Sequence, residues 1–433
     1  MALVSASKKR TSSQLDSSDR STKIAKIHPL FGPKPTPVAE SGPLRWSKAL
    51  GPDGSCLHVK HLDPPSSVKV AAFDLDGTVI SSLPFSAPAL QWHWWNASVP
   101  AKLKKAASEG YAIVMFSNQG GLRAAPRQKD WKKKIALIAA AVPDLPFMLF
   151  AATAKDNYRK PMIGMWQELE RLYEAGGVKI DKASSFFVGD AAGRNYPSST
   201  KSKDFASTDR KFALNVDVPF YTPEEYFLGK APEPNFTLKG FHVSSLPSLP
   251  LYTPSSSPLI PSPPVQELVL FVGYPCLGKT TFFRQYFEPA GYIHINQDTL
   301  KTRIKCVKAV QDALVAGKKC VVDNTNRDAS TRRYYIDVAT KLKVPVRCML
   351  FTGSLELAFH NNLYRAYCLP PSVAAREPRR EALPKAAFTT FKDSFEEPEL
   401  GEGLAQIKKV NWVFNGTPEE RKAWSRWLQF DEK

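Results

Sequence analysis

Two aspartates one residue apart sit where an apolar run ends: Asp74-Leu75-Asp76-Gly77-Thr78 directly follows Val68 to Phe73. Alternate residues of extended chain point the same way, so both carboxylates can face one site. Like charges that close need a cation or a shared proton, which suggests Mg²⁺. One carboxylate could attack phosphorus and carry an aspartyl-phosphate. The other could protonate the leaving alcohol and then activate water. The competing reading is a turn held by Asx hydrogen bonds.

A second constellation follows the apolar run Glu267 to Val272. Gly273, Tyr274, Pro275, Cys276, Leu277, Gly278, Lys279, Thr280 and Thr281 fit the phosphate-binding loop GxxxxGK[ST]. Its glycines let backbone N–H groups curl around the phosphates of ATP, and the helix that follows adds its dipole. Lys279 would reach the β- and γ-phosphates, and Thr280 would ligate Mg²⁺.

The phosphate acceptor is served by later strand ends. Asp298, after Tyr292–Ile295, reads either as the base that deprotonates an attacking hydroxyl or as the N-cap of a helix beginning near Thr299. Asp323-Asn324-Thr325-Asn326 is another polar strand end facing the same crevice. The string His360-Asn361-Asn362-Leu363-Tyr364-Arg365 closes a later helix, and Arg365 is either a lid over the phosphates or a solvated helix end.

These motifs need scaffolds, and the pattern supplies two. Strand-like runs at 68–73, 111–116, 147–151 and 185–188 alternate with helical patterns at 101–109, 129–141 and 162–174. The same alternation starts again at 267–272 and 279–287. That rhythm predicts an α/β protein with two doubly wound parallel sheets, whose ligands bind beyond the C-terminal strand ends. Residues 1–44 are rich in Ser, Lys, Asp and Pro and read as a disordered basic tail. Its Lys8-Lys9-Arg10 cluster suits nuclear import, or simply solubility. The Pro/Ser-rich stretch 231–264 reads as a poorly packed linker. The folded blocks are therefore 45–230 and 265–433.

Of the 433 residues, 59 are Lys or Arg and 41 are Asp or Glu, a formal net charge of +18. Between Lys301 and Leu350 there are twelve basic residues and four Asp, so the excess sits inside folded blocks. It favours a polyanionic partner such as nucleic acid. No run reaches the roughly 18 apolar residues of a membrane span, and the six cysteines form no CxxC pair. A reducing compartment and a monomer are the defaults.

The first block resembles the haloacid dehalogenase superfamily of aspartate-nucleophile phosphatases. Beyond the Asp74 string, Ser117-Asn118-Gln119-Gly120 ends a strand, Tyr158-Arg159-Lys160-Pro161 supplies a lysine at a helix start, and Gly189-Asp190 ends another strand. A phosphatase of this kind followed by a phosphate-binding loop is similar to one family, polynucleotide kinase/3′-phosphatase. The strings Val188-Gly189-Asp190-Ala191-Ala192-Gly193-Arg194, Asp323-Asn324-Thr325-Asn326 and His360-Asn361-Asn362 carry that likeness.

The resemblance implies Asp74 as nucleophile, Asp76 as acid/base, and Ser117, Asn118 and Lys160 around the phosphate. It places Mg²⁺ among Asp74, the Asp76 backbone and Asp190, and makes Asp298 the kinase base. DNA ends with a 3′-phosphate and a 5′-hydroxyl would be the substrates, in nuclear strand-break repair, with repair factors possible partners of the tail.

The short interval between Asp74 and Ser117 leaves no room for a large cap. An open site suits a polymer end better than a small metabolite. A scaffold with decayed sites would lack at least one of Asp74, Asp76, Lys279 or Asp298, and all four are present. With folding starting near 45, no N-terminal phosphopeptide-binding domain fits. Gln297 stands where the family often has arginine, and Ser117 where threonine is common. Trp92, Trp94 and Trp95 read as a base-stacking platform or as packing. Asp204 and Asp209 are further candidates for the metal shell.

Overall fold

Every residue of Val70–Phe73 is buried, the mark of a parallel strand covered on both faces. The computed structural model describes residues 43–430, except 52, 83–89, 123, 197–202 and 377–379. All but the last two residues of the expected basic tail, Lys8-Lys9-Arg10 included, lie outside the described residues.

The first sheet contains β1 (Leu44–Trp46), β2 (Cys56–His61), β3 (Val70–Phe73), β4 (Ala112–Asn118), β5 (Phe147–Ala152), β6 (Phe186–Val188) and β7 (Phe220–Tyr221), in the order β1-β2-β5-β4-β3-β6-β7. Strands β3 to β7 are parallel, while β1 and β2 add an antiparallel edge. Helices Val99–Ser108 and Ala125–Ala141 bury Leu103, Ala106, Ile135 and Ile138 against Phe73, Ile113 and Met115. Helices Gly164–Ala175 and Thr208–Val216 bury Trp166, Leu169 and Phe212 against Ala72, Val114 and Phe116. Alternate strand residues thus serve opposite faces.

The second sheet contains β8 (Tyr252–Thr253), β9 (Leu268–Val272), β10 (Ile293–Ile295), β11 (Cys320–Asp323), β12 (Val346–Phe351) and β13 (Gln406–Val410), in the order β10-β11-β9-β12-β13-β8. All are parallel except β8. Helix Lys279–Phe282 widens into a looser turn over Phe283–Phe287 rather than running straight to 287.

The stretch 231–264 departs from the loosely packed linker its composition suggests. Strand β8 pairs with β13, and Phe241 and Leu259 are buried in the second core. Proline cannot donate to a ladder, but its segment still offers carbonyls. Buried Lys408 donates to the Pro254 and Ser257 carbonyls at 2.8 Å, and Arg347 to that of Leu259 at 3.0 Å. Met162, Leu363 and Leu428 form a small apolar cluster joining the two halves. All six cysteines are free thiols. No helix among the described residues is long and apolar enough to cross a membrane.

Candidate active sites

Strand β3 delivers Asp74 and its parallel neighbour β6 delivers Asp190, so both carboxylates emerge at one end of the sheet. The chain leaves β3 for β4 on one side and returns to β6 on the other, the switch point where open α/β sheets bind ligands. Lys160 lies in the loop after β5, four residues before the helix Gly164–Ala175 rather than at its start. Only 1% exposed, its Nζ sits 2.5 Å from Asp74 Oδ1 and 2.6 Å from Asp209 Oδ1. Asp209, in the first turn of Thr208–Val216, is fixed by the Ala191 N–H, which donates to its Oδ2 at 3.0 Å.

One oxygen each of Asp74, Asp190 and Asp209 lie within 4.8 Å of one another. Three hard oxygens on largely buried carboxylates form a donor set that could hold a divalent cation such as Mg²⁺. Their electrostatics agree. Burial pushes the Asp74 carboxyl well above its usual value, with Lys160 opposing and Asp209 and Asp190 adding. Burial, then Asp209, pushes Asp190 up to about 7. Burial alone would lower the Lys160 ammonium, but Asp209 and Asp74 outweigh it and hold it above its usual value. Gly77 is the one residue type that fits beside this cluster. Its φ is +91°, and a Cβ there would lie 2.3 Å from Asp190 Oδ2.

The remaining predicted residues divide. Gln119 Nε2 donates to Asp76 Oδ2 and, at 2.8 Å, to Ser117 Oγ, so these three form one group. Asn118 ends β4 and is tied to the loop that carries Lys160. Its side-chain amide donates to the Lys160 carbonyl at 3.1 Å and accepts from the Lys160 N–H at 2.9 Å. Asp204 accepts from Arg194 Nε at 2.8 Å and from the Ala192 and Arg194 N–H groups, and so braces the loop after β6 instead of joining the carboxylate cluster. Of the tryptophans, Trp92 and Trp94 pack edge to face at 5.0 Å against the first core. Trp95 leans on Phe227 and also lines an open cleft with Gly77, Ser81, Asp190 and Arg194.

At the second sheet the loop Gly273–Thr281 leaves β9 between β11 and β12. Gly273 is pressed against Phe351, where a Cβ would lie 2.8 Å from that residue's own. Gly278 turns at φ +80° with open space in front of it. Lys279 is curled onto the loop, donating to the carbonyls of Gly273 at 3.0 Å and Tyr274 at 2.6 Å. Burial lowers its ammonium to about 8, against the raising charge of Asp323. Thr280 Oγ1 donates to Asp323 Oδ2 at 2.6 Å. Leu277 turns its side chain into the core, Thr281 is exposed, and Pro275 has no N–H to give.

Asn296, not Asp298, caps the short helix Gln297–Leu300, accepting from Thr299 N–H at 2.9 Å. The capping alternative for Asp298 is thereby overturned. Asp298 is exposed in the first turn, and its charge reaches Lys279. Asn324 Oδ1 accepts the Gln297 N–H at 2.8 Å, and buried Asn326 donates to the Phe271 carbonyl at 2.9 Å, so the Asp323–Asn326 loop ties the neighbouring strand ends together. The His360–Asn362 string is likewise a brace. Asn361 donates to the Cys276 carbonyl at 3.1 Å and accepts from Trp424 Nε1 at 2.8 Å. Arg365 is half-buried on the turn Tyr364–Cys368 rather than solvated, and its Nε has no hydrogen-bond partner among the described residues. Its charge reaches both Cys276 and Lys279.

Sequence reasoning passed over Asp323 as a site member and left Asp209 uncommitted. The signal for Asp323 was its place at a strand end beside the phosphate loop. Asp209 carried no such mark, because it comes from a helix start that only the folded chain brings under β3.

Comparison with known proteins follows the same division. Residues 69–227 match the family model described as polynucleotide kinase 3 phosphatase, and residues 268–398 match an AAA domain. The bifunctional polynucleotide phosphatase/kinase of Schizosaccharomyces pombe is 37% identical over 369 residues, covering 83% of each chain. A mimivirus protein named for the same two activities is 32% identical over 397 residues, 84% of this chain and 90% of its own. The polynucleotide 3′-phosphatase of Saccharomyces cerevisiae is 28% identical over 222 residues, 37% of this chain and 88% of that protein.

Proposed function

The chain belongs to the bifunctional polynucleotide phosphatase/kinase family, and from that premise we propose how its residues share the two reactions. The enzyme removes 3′-phosphates from polynucleotide ends and phosphorylates 5′-hydroxyls, leaving ends that a ligase can join. What carries the assignment of residues is that one chain sets a carboxylate–lysine cluster at the β3/β6 switch point and a phosphate loop beside Asp323 at the end of β9.

In the phosphatase half, Asp74, Asp190, Asp209 and the Asp76 backbone carbonyl would hold Mg²⁺, which when bound offsets the charge of the carboxylates and of the phosphate. Asp74 attacks phosphorus, and the bond to the 3′-oxygen breaks as Asp76 gives that oxygen a proton. Asp76 then takes a proton from the water that attacks the aspartyl-phosphate, releasing phosphate and restoring Asp74. Lys160 holds Asp74 in place and faces the developing charge, Ser117 offers a hydroxyl to the phosphate, and Asn118 fixes the Lys160 backbone.

In the kinase half, the N–H groups of the loop, Lys279 and Arg365 would hold the phosphates of ATP, and Thr280 and Asp323 its Mg²⁺. Asp298 takes the proton of the 5′-hydroxyl, whose oxygen attacks the γ-phosphorus while the bond to the β-phosphate oxygen breaks. The +18 charge supports a nucleic-acid strand end as the substrate. The Lys8-Lys9-Arg10 cluster supports nuclear import of the enzyme, acting as a monomer.

A duplex with a nick bearing 3′-phosphate and 5′-hydroxyl tests the assignment, with both ends followed in Mg²⁺ with and without ATP. Asp74→Asn should lose only dephosphorylation of the 3′ end, and Lys279→Ala only phosphorylation of the 5′ end. No change at either end with the unaltered enzyme would overturn the reading.

A further inference from the structure

One side chain next to the phosphate loop has no part in the assignment above. His294 is the middle residue of β10 and pairs with Val321, so it points to the same face as Asp323 two residues along β11. Its Nε2 lies 2.9 Å from Asp323 Oδ2, the same oxygen that accepts the Thr280 hydroxyl at 2.6 Å. An ionised carboxylate only accepts, so His294 must carry its proton on Nε2. The ring cannot swing freely, because Phe283 stacks on it at 4.3 Å and 25°.

We propose that His294 is a positioning residue for the kinase reaction: it locks the Asp323 carboxylate so that Thr280 keeps its lone pairs turned toward the Mg²⁺ of the bound nucleotide. Asp323 Oδ2 receives two protein donors, which fixes the plane of the carboxylate, and Oδ1 would then be the oxygen available to a metal. Because the Thr280 proton is committed to Oδ2, the hydroxyl oxygen presents its lone pairs elsewhere. Without His294, Asp323 is held by a single rotatable hydroxyl, and the pair can turn together away from the metal position. Removing such an outer partner of a metal site typically costs about 10- to 100-fold in metal affinity.

This inference rests on the kinase reading of the site, and its test separates the two. Binding of a fluorescent ADP analogue is measured in Mg²⁺ and in EDTA for the full chain, His294→Phe and His294→Gln. The Phe variant keeps the stack on Phe283 and loses the donor, while the Gln variant keeps a donor near Nε2. The Mg²⁺-dependent gain in affinity should fall about tenfold or more in the Phe variant and be largely restored in the Gln variant. The Mg²⁺ concentration for half-maximal 5′-phosphorylation should shift in parallel, with 3′-dephosphorylation unchanged in both as the control for folding. An unaltered Mg²⁺ gain in His294→Phe, or equal losses in both variants, would overturn the proposal. Nucleotide binding without any 5′-phosphorylation by the unaltered chain would instead overturn the kinase reading, and the binding ratio would still decide the role of His294.

Discussion

Asn215 and Trp427, 212 residues apart in the chain, exchange hydrogen bonds in both directions. Asn215 Nδ2 donates to the Trp427 carbonyl at 2.7 Å, and the Trp427 N–H donates to Asn215 Oδ1 at 2.8 Å. The same Nδ2 donates to the Pro161 carbonyl at 2.8 Å. Asn215 lies on the helix that carries Asp209, and Pro161 follows Lys160. The C-terminal stretch of the second half therefore clamps both elements that complete the first half's site.

Asn215→Ala should reach across that clamp. It strands the polar groups of Trp427 and the Pro161 carbonyl, at a cost of about 1–3 kcal/mol. We expect a lower urea midpoint, and 3′-phosphatase activity that falls further than 5′-kinase activity. Equal losses at both ends would assign Asn215 to general stability.

Lys160→Met should abolish dephosphorylation and destabilise the metal-free protein. It leaves Asp74 and Asp209 buried without their cation, and breaking such a pair costs about 3–5 kcal/mol. Combined with Asp74→Asn and Asp209→Asn, the same change should cost far less, because no charge is left unpaired. Denaturant unfolding of the four-member set measures the difference; additive costs would mean that Lys160 does not serve these carboxylates.

The carboxylate cluster makes the metal-free protein sensitive to pH. Asp190 is raised to about 7 and Asp74 is raised above its ordinary value. The folded state thus binds protons that the unfolded state has released, and stability from these groups falls as pH rises from about 4 to about 7. Mg²⁺ offsets the charge, so its gain in Tm should be larger at about pH 8 than at about pH 5.5. Asp190→Asn should flatten the pH dependence in EDTA and shrink the Mg²⁺ gain. A gain independent of pH would refute the site.

Burial pushes the Lys279 ammonium down to about 8, and phosphate oxygens beside it would raise that value. ATP binding should then take up a proton around pH 8, and affinity should weaken as pH rises through that point. Calorimetry in buffers of different ionisation enthalpy reads the proton directly. Lys279→Arg, which stays charged, should bind without uptake.

The strand-end motifs were legible because their chemistry and their scaffold share one short stretch of chain. An apolar run that becomes Asp74-Leu75-Asp76-Gly77, or Gly273 through Thr280, states both the strand and what it presents. Both ends of strands β3, β4, β5, β6 and β9 lie within two residues of where apolar runs place them. The antiparallel strands β1, β2 and β8 were not foreseen: β1 and β8 are only three and two residues long, too short to show a period, and β2 carries His58, Lys60 and His61 in an otherwise apolar run.

Pattern along the chain was enough for the two parallel-sheet halves, their order, and the residues set at strand ends, Asp74, Asp76 and Asp190, or at the helix start after the phosphate loop, Lys279 and Thr280. Tertiary structure alone decided which groups meet them from elsewhere. Asp209 arrives from a helix, His294 from an edge strand, Asn361 from behind the phosphate loop, and Trp427 from the segment that follows the helix Pro418–Trp424. Local pattern reports what a residue does to its own element, through period, caps and turns. A hydrogen bond between residues 29 or 212 positions apart depends on how elements pack, and no short stretch of chain carries that information.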